Sequence, residues 1–114
     1  MIAVIFEVEP RAGHEHRYFE FAAELRPILE QFDGFLSVER FESLTTKGRY
    51  LSLSFWRDEA AVCRWRNQPT HRQGQQEGRS VVFDHYRLRV ATVSRDYGLT
   101  DRAQAPGDSL ACLT

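Results

Sequence analysis

GRYLSLSFWRDEAAVCRW, residues 48–65, holds a turn, a strand, a helix cap and a helix start in unbroken succession. In extended chain Tyr50, Ser52, Ser54 and Trp56 fall on one side, and Leu51, Leu53 and Phe55 on the other. Asp58 then offers a side-chain oxygen to the first free amides of a helix, and the dipole favours Glu59 in its first turn. Strand, cap and helix agree, so the surrounding elements can be counted outward from this unit.

Upstream, Thr45-Thr46-Lys47-Gly48 is short enough for a hairpin connection, which makes Phe35–Ser43 the preceding strand. Before it the period turns helical from about Ala12 to Phe32, with Phe21, Leu25, Ile28, Leu29 and Phe32 on one stripe. Pro27 predicts a kink in that helix, and Asp33-Gly34 a stop. Ile2–Glu9 alternates as a strand that Pro10 ends.

Downstream, the helix runs from Glu59 to about Asn67, and Pro69 suits the first turn of a short helix ending near Gly78. Ser80 to about Arg95 reads as a final strand. Gly98–Thr114 has no period and reads as a tail or wrapping arm, leaving residues 1–97 as the domain. The order β-α-β-β-α-β predicts an α+β, ferredoxin-like subunit with an antiparallel sheet.

A final strand of about 15 residues would span about 50 Å, against a diameter near 35 Å for a domain of this size. It must bend or leave its own subunit. One sheet face is expected to hold Val4, Phe6, Leu53, Phe55, Leu88 and Val90 under the helices. The other would hold Ile5, Phe41, Trp56, Ala91 and Val93 beside Ser52, Ser54, Arg87 and Arg89, too apolar to stay wet. A second copy packed sheet to sheet is the economical cover.

A net charge of −1 argues against a phosphate-seeking surface, so no nucleic-acid partner is expected. No apolar run is long enough to span a bilayer, and MIAVIFEVEP reads as a strand with no secretion leader in it. Cys63 falls mid-helix and Cys112 in the tail, which fits a reduced, cytoplasmic setting.

Chemistry gathers around the second helical region. His71 and Gln75 lie four apart on one helix face, Asn67 sits at the joint between the helices, and Tyr86 stands on the last strand. With Trp65 they could line an apolar cavity with a few polar groups, the usual make-up of a small-molecule pocket. In that reading His71 is the base. Trp65 also suits ordinary helix-face core, and His71 a surface histidine near a helix start. His14 and His16 are two apart and do not share a helix face, so no metal site is expected. Arg87, Arg89 and Arg95 are expected to pair with acidic groups such as Glu7 and Glu39.

The chain resembles the antibiotic biosynthesis monooxygenase family of the dimeric α/β-barrel superfamily. The resemblance rests on Asp33-Gly34-Phe35, FESL at 41–44, KGRYLSLSFWRDEAAVCRWRN at 47–67, HRQGQQEGR at 71–79 and YRLRVATVSRDYG at 86–98, with APGDS at 105–109 similar to tails in the group. It implies a homodimer paired through its sheets, with a pocket between sheet and helices in each subunit. Some members oxygenate quinols or anthrone-like aromatics with molecular oxygen and neither metal nor flavin.

By that resemblance this chain would oxidise a small phenolic, quinol or polyketide-like aromatic without a cofactor. His71 and Tyr86 would be catalytic, and Trp65, Asn67 and Gln75 would bind substrate. Trp65 matches the tryptophan common on that helix, but the asparagine one turn earlier in the anthrone-oxidising branch is Ala61 here. A haem-degrading branch uses a first-strand asparagine and a histidine ten residues past this tryptophan. Here those positions offer Glu7 and Gln75. The alternative is a dimeric, non-catalytic small-molecule-binding or stress-linked protein.

Overall fold

A computed structural model describes residues 1–109, so Cys112 lies outside the described residues. Strand β1 (Ile2–Pro10) is followed by helix α1 (Glu15–Glu30), β2 (Phe35–Glu42) and β3 (Tyr50–Trp56). Helices α2 (Glu59–Arg66) and α3 (Pro69–Glu77) come next, then a π-helical turn over Gly78–Val82 and β4 (Phe83–Thr92). The sheet order is β2-β3-β1-β4 with every neighbour antiparallel. This is the ferredoxin-like β-α-β-β-α-β fold, with α2 and α3 sharing the second helical position.

Local chemistry explains the boundaries. Asp58 Oδ1 accepts from the Ala61 amide at 2.9 Å and starts α2. Gln68 does the same for α3, accepting from the His71 amide at 2.8 Å, with Pro69 in the first turn. Pro27 lies inside α1 as expected. That helix starts at Glu15, later than about Ala12, because Gly13 has a φ of +84° and breaks the helical path.

The final strand is shorter than the sequence suggested. Residues 78–82 are wound into the π-helical turn, and β1 supplies no partner beyond its first residues once β4 reaches Thr92. Its length therefore gives no reason for it to leave the subunit.

The sheet faces also need correction. Register pairs Ile2 with Trp56, Val4 with Ser54 and Phe6 with Ser52, so these side chains share one face. That face lies under the helices: Trp56 is 2% exposed and clusters with Ile2, Leu29, Ala61, Val62 and Trp65. Leu51, Leu53 and Phe55 stand instead with Ala3, Ile5 and Ala91 on the face without helices. The serines tolerate burial because Ser54 Oγ accepts from Trp56 Nε1 at 2.9 Å, satisfying both groups.

A second cluster lies farther along the sheet, where Val8, Tyr18 and Val82 are buried with Phe6, Tyr50 and Phe83 around them. Val8 is fully buried on the central strand. Val8→Ala is expected to cost roughly 2 kcal/mol, from two lost methyl-sized groups plus the cavity left behind. Chemical denaturation would read this as a lower midpoint with an unchanged slope.

Candidate functional site

Trp65 sits in the last turn of α2, and its indole is the centre of an aromatic nest. Phe32 of the α1–β2 connection meets it edge-on at 5.2 Å between centroids, and Trp56 lies 6.1 Å away. Trp56 is in turn flanked by Phe35 at 5.5 Å. Edge-to-face pairs of this kind hold their rings in fixed orientations. The indole is 8% exposed, so it presents little more than one surface to anything outside the nest.

That surface is taken by His71. Its imidazole stacks on Trp65 with centroids 4.9 Å apart and planes 30° from parallel. Trp65 and His71 are on different helices, and the turn at Asn67 and Gln68 folds α3 back so that they meet. His71 Nδ1 is buried and has no hydrogen-bond partner.

Burial lowers the His71 pKa from its ordinary 6.5; the Arg66 and Trp65 carbonyls pull the other way, and nearby Arg72 lowers it further. The ring is therefore neutral at physiological pH, and its unpartnered Nδ1 is buried in a ring stacked on an indole. A neutral imidazole so placed can take a proton.

The other residues singled out from the sequence lie elsewhere. Asn67 caps α2, donating to the Cys63 carbonyl at 2.9 Å and accepting from Arg72 at 2.5 Å, and is exposed. Gln75 accepts from Arg72 at 3.2 Å along the side of α3. Tyr86 packs on Phe6 and Phe83 at 5.9 and 6.0 Å, within the second aromatic group. Tyr86 pairs with Val8 and Trp56 with Ile2, six residues apart along β1, or about 20 Å. Trp65 and His71 are thus brought together, whereas Tyr86 belongs to the far end of the helix-covered face.

Two surface grooves open elsewhere on the molecule, and neither is lined by Trp65 or His71. One, of about 480 Å³, lies between α1 and α3 and is lined by Arg17, Phe21, Glu24, Gln73 and Glu77 among others. Arg17 spans it, bonded to Glu77 at 2.6 Å with its guanidinium 3.7 Å from the Phe21 ring. That is a strut between helices, and the groove lacks an unsatisfied acceptor such as the one at His71. The other, of about 420 Å³, is lined by Arg11, Arg79, Phe83, Asp84, His85 and Tyr86. Sequence reasoning overlooked it because Arg11 and Arg79 are 68 positions apart and meet only through β1–β4 pairing.

Among the described residues, no group of three or more His, Cys, Asp or Glu side chains has the arrangement of a metal site. His16 pairs with Glu20 at 2.9 Å on the open side of α1. Arg89 bonds Glu7 at 3.0 Å across β1–β4, as expected for one member of the arginine run. Ala61 is fully buried, its Cβ facing Gly34 across the seam between α2 and the start of β2. Among the described residues no helix is long and apolar enough to cross a membrane.

The family model for antibiotic biosynthesis monooxygenases matches residues 1–77. The chain is 46% identical over 94 residues to the jasmonate monooxygenase ABM of Pyricularia oryzae, covering 82% of this chain and 44% of that protein. It thus spans less than half of that relative's length. Bacillus subtilis YqjZ is 32% identical over 93 residues, covering 82% of this chain and 79% of its own. Among solved structures, a candidate antibiotic biosynthesis monooxygenase from Deinococcus radiodurans superposes with a TM-score of 0.77 at 15% identity, covering 87% of this chain and 98% of its own. Mycobacterium tuberculosis Rv0793 does so with 0.75 at 17% identity, covering 83% and 96%.

Proposed function

Because the chain belongs to the antibiotic biosynthesis monooxygenase family, we propose that it oxygenates a small, acidic C–H or O–H substrate, such as a phenol, quinol or polyketide-like aromatic, without a resident cofactor. The observation that carries this reading is the buried, unpartnered Nδ1 of His71 stacked on Trp65. His71 removes the activating proton and the substrate anion becomes the electron donor. One electron passes to molecular oxygen, and recombination of the radical pair forms a carbon–oxygen bond. Loss of water from the resulting hydroperoxide leaves a carbonyl. One oxygen atom enters the product and the other leaves as water, with all reducing equivalents drawn from the substrate.

Trp65 backs the His71 imidazole and holds it in one orientation, and the aromatic nest around the pair keeps water from the radical pair. Asn67 and Gln75 flank the same helical joint but are engaged with Cys63 and Arg72. Their part is limited to the rim. Similarity to a protein named for jasmonate favours a second substrate class, one resembling jasmonate itself. Oxygen-electrode measurements on the purified chain, with hydroquinones, anthrones and jasmonate in parallel, decide between them. Absence of oxygen uptake with every substrate would overturn the monooxygenase reading and leave a binding protein.

The uncovered sheet face supports a homodimer. Ile5, Leu51, Leu53 and Phe55 are half-buried there and Phe41 is 42% exposed, an apolar patch edged by Glu7, Glu39, Arg87 and Arg89. A two-fold partner would bury this patch and meet its charged edge with the same edge reversed. Light scattering is expected to give twice the chain mass for the native protein and the single mass for Leu53→Arg. A monomeric native protein at micromolar concentration would contradict the dimer.

A further inference from the structure

We infer that the groove beside Tyr86 is a binding site for a monocarboxylate with an elongated apolar body. Arg11 and Arg79 form its head in the groove, and the exposed strip that continues from Tyr86 along β4 through Leu88 and Val90 takes the body.

That strip is unusual for a face that lies under helices. Tyr86, Leu88 and Val90 pair with Val8, Phe6 and Val4, so they stand on the helix-covered side of the sheet. They nevertheless remain 43%, 49% and 44% exposed. The helices cover the β3 side and stop short of this edge strand. Three apolar side chains in alternate positions make a strip about 13 Å long from Tyr86 to Val90. Leaving such a strip wet wastes the transfer free energy that its burial would release.

The head end is positively charged. Arg11 is oriented by the edge of the sheet, its amide bonded to the Val82 carbonyl at 2.8 Å and its Nε to the Phe83 carbonyl at 3.4 Å. Its terminal nitrogens are left for the groove. Arg79 comes from the π-helical turn and, among the described residues, has neither a hydrogen bond nor an ion pair. Asp84 is the one carboxylate lining the groove, and it pairs with neither guanidinium. Two cations therefore face one groove with no local anion bonded to them, and a guanidinium fork matches a carboxylate in shape as well as charge. Neutral sugars or cations would use neither feature.

The strip runs from the Arg11–Arg79 head towards Val4, which packs against the cluster containing Trp65. A carboxylate held at the head would send its far end towards His71. That last point rests on the proposed oxygenase reading; the binding site itself does not.

The test is equilibrium binding in anaerobic buffer, where turnover plays no part, using octanoate, its neutral amide and acetate. Octanoate is expected to bind at least tenfold more tightly than octanamide or acetate. Arg79→Gln and Leu88→Ser should each weaken octanoate about tenfold, with circular dichroism unchanged because both side chains are exposed. Equal affinity for octanoate and octanamide would remove the charged head, and equal affinity for octanoate and acetate would remove the strip. Unchanged octanoate binding in both variants would overturn the site altogether. Octanoate binding without oxygen uptake from any substrate would refute the oxygenase reading while upholding this one.

Discussion

His71→Gln is expected to lower turnover of the activating substrate by on the order of 100-fold or more, the range in which a positioned general base acts. The substitution keeps a polar side chain of similar reach over Trp65 but removes the basic nitrogen that is buried without a partner. Tyr86→Phe is expected to change turnover less than about threefold on the same scale, since Tyr86 stacks with Phe6 and Phe83 and not with the Trp65 group. The pH profile separates a base from a structural ring. Burial lowers the His71 pKa below 6.5, so the neutral, proton-accepting form persists into mild acid and activity falls only as pH drops through that lowered value. Stability moves in the same direction: protonation is favoured in the unfolded chain, so folding is weakened as pH falls below 6.5 towards the folded-state pKa. His71→Gln should flatten both acid limbs. An undiminished turnover, or an acid limb that survives the substitution, would remove His71 from the chemistry.

Gly34→Ala is the substitution with the largest expected effect on folding, about 3 kcal/mol. Gly34 has a φ of +89°, which costs an L-residue about 1 kcal/mol. A Cβ there would also lie 2.4 Å from Ala61 Cβ, and neither backbone is free to retreat. The Gly34 carbonyl accepts from the Arg57 amide at 2.8 Å, and Arg57 holds Asp33 through two bonds of 3.0 Å. Overpacking of this kind adds roughly 2 kcal/mol.

Gly13→Ala is the control, because φ there is +84° but nothing lies within 4 Å of the new Cβ. It should show the backbone cost of about 1 kcal/mol alone. Urea denaturation of the two variants would measure the difference, and equal losses would mean that the α2–β2 seam has room to spare. The same seam bears on chemistry. Ala61, where the anthrone-oxidising pattern has asparagine, points at Gly34 and fills the close approach, so the larger side chain would not fit this packing.

The order of elements was legible because alternation and helical period are set by the backbone. β1, the β2–β3 hairpin, the Asp58 cap and the Pro69 helix start all lie within a residue or two of their expected places. The phase of β3 was not legible. Leu51, Leu53 and Phe55 look more like core than Ser52, Ser54 and Trp56, and alternation does not say which side is inside. Register with β1 decides it, and the buried Trp56–Ser54 hydrogen bond makes the serine side tolerable.

The π-helical turn was hidden for a similar reason. Ser80, Val81 and Val82 suit a strand locally, but Gly78 approaches the Phe83 ring so closely that the chain coils before it extends. The meeting of His71 with Trp65 depends on a three-dimensional turn between two helices. The sequence offers only its ingredients, Asn67, Gln68 and Pro69.

The central place of β1 in the sheet has a kinetic consequence. Its two partners, Tyr50–Trp56 and Phe83–Thr92, begin 48 and 81 residues after Ile2, so neither bond ladder of this strand can be closed locally. At synthesis rates of about 5–20 residues per second, β1 waits on the order of 4–16 s before β4 exists. Both edges of β1 are open until β3 has emerged, and the edge that β4 will pair stays open for the rest of that interval. Native folding must therefore follow completion of β4, at the slower end of the range for small domains because its pairings are distant in sequence.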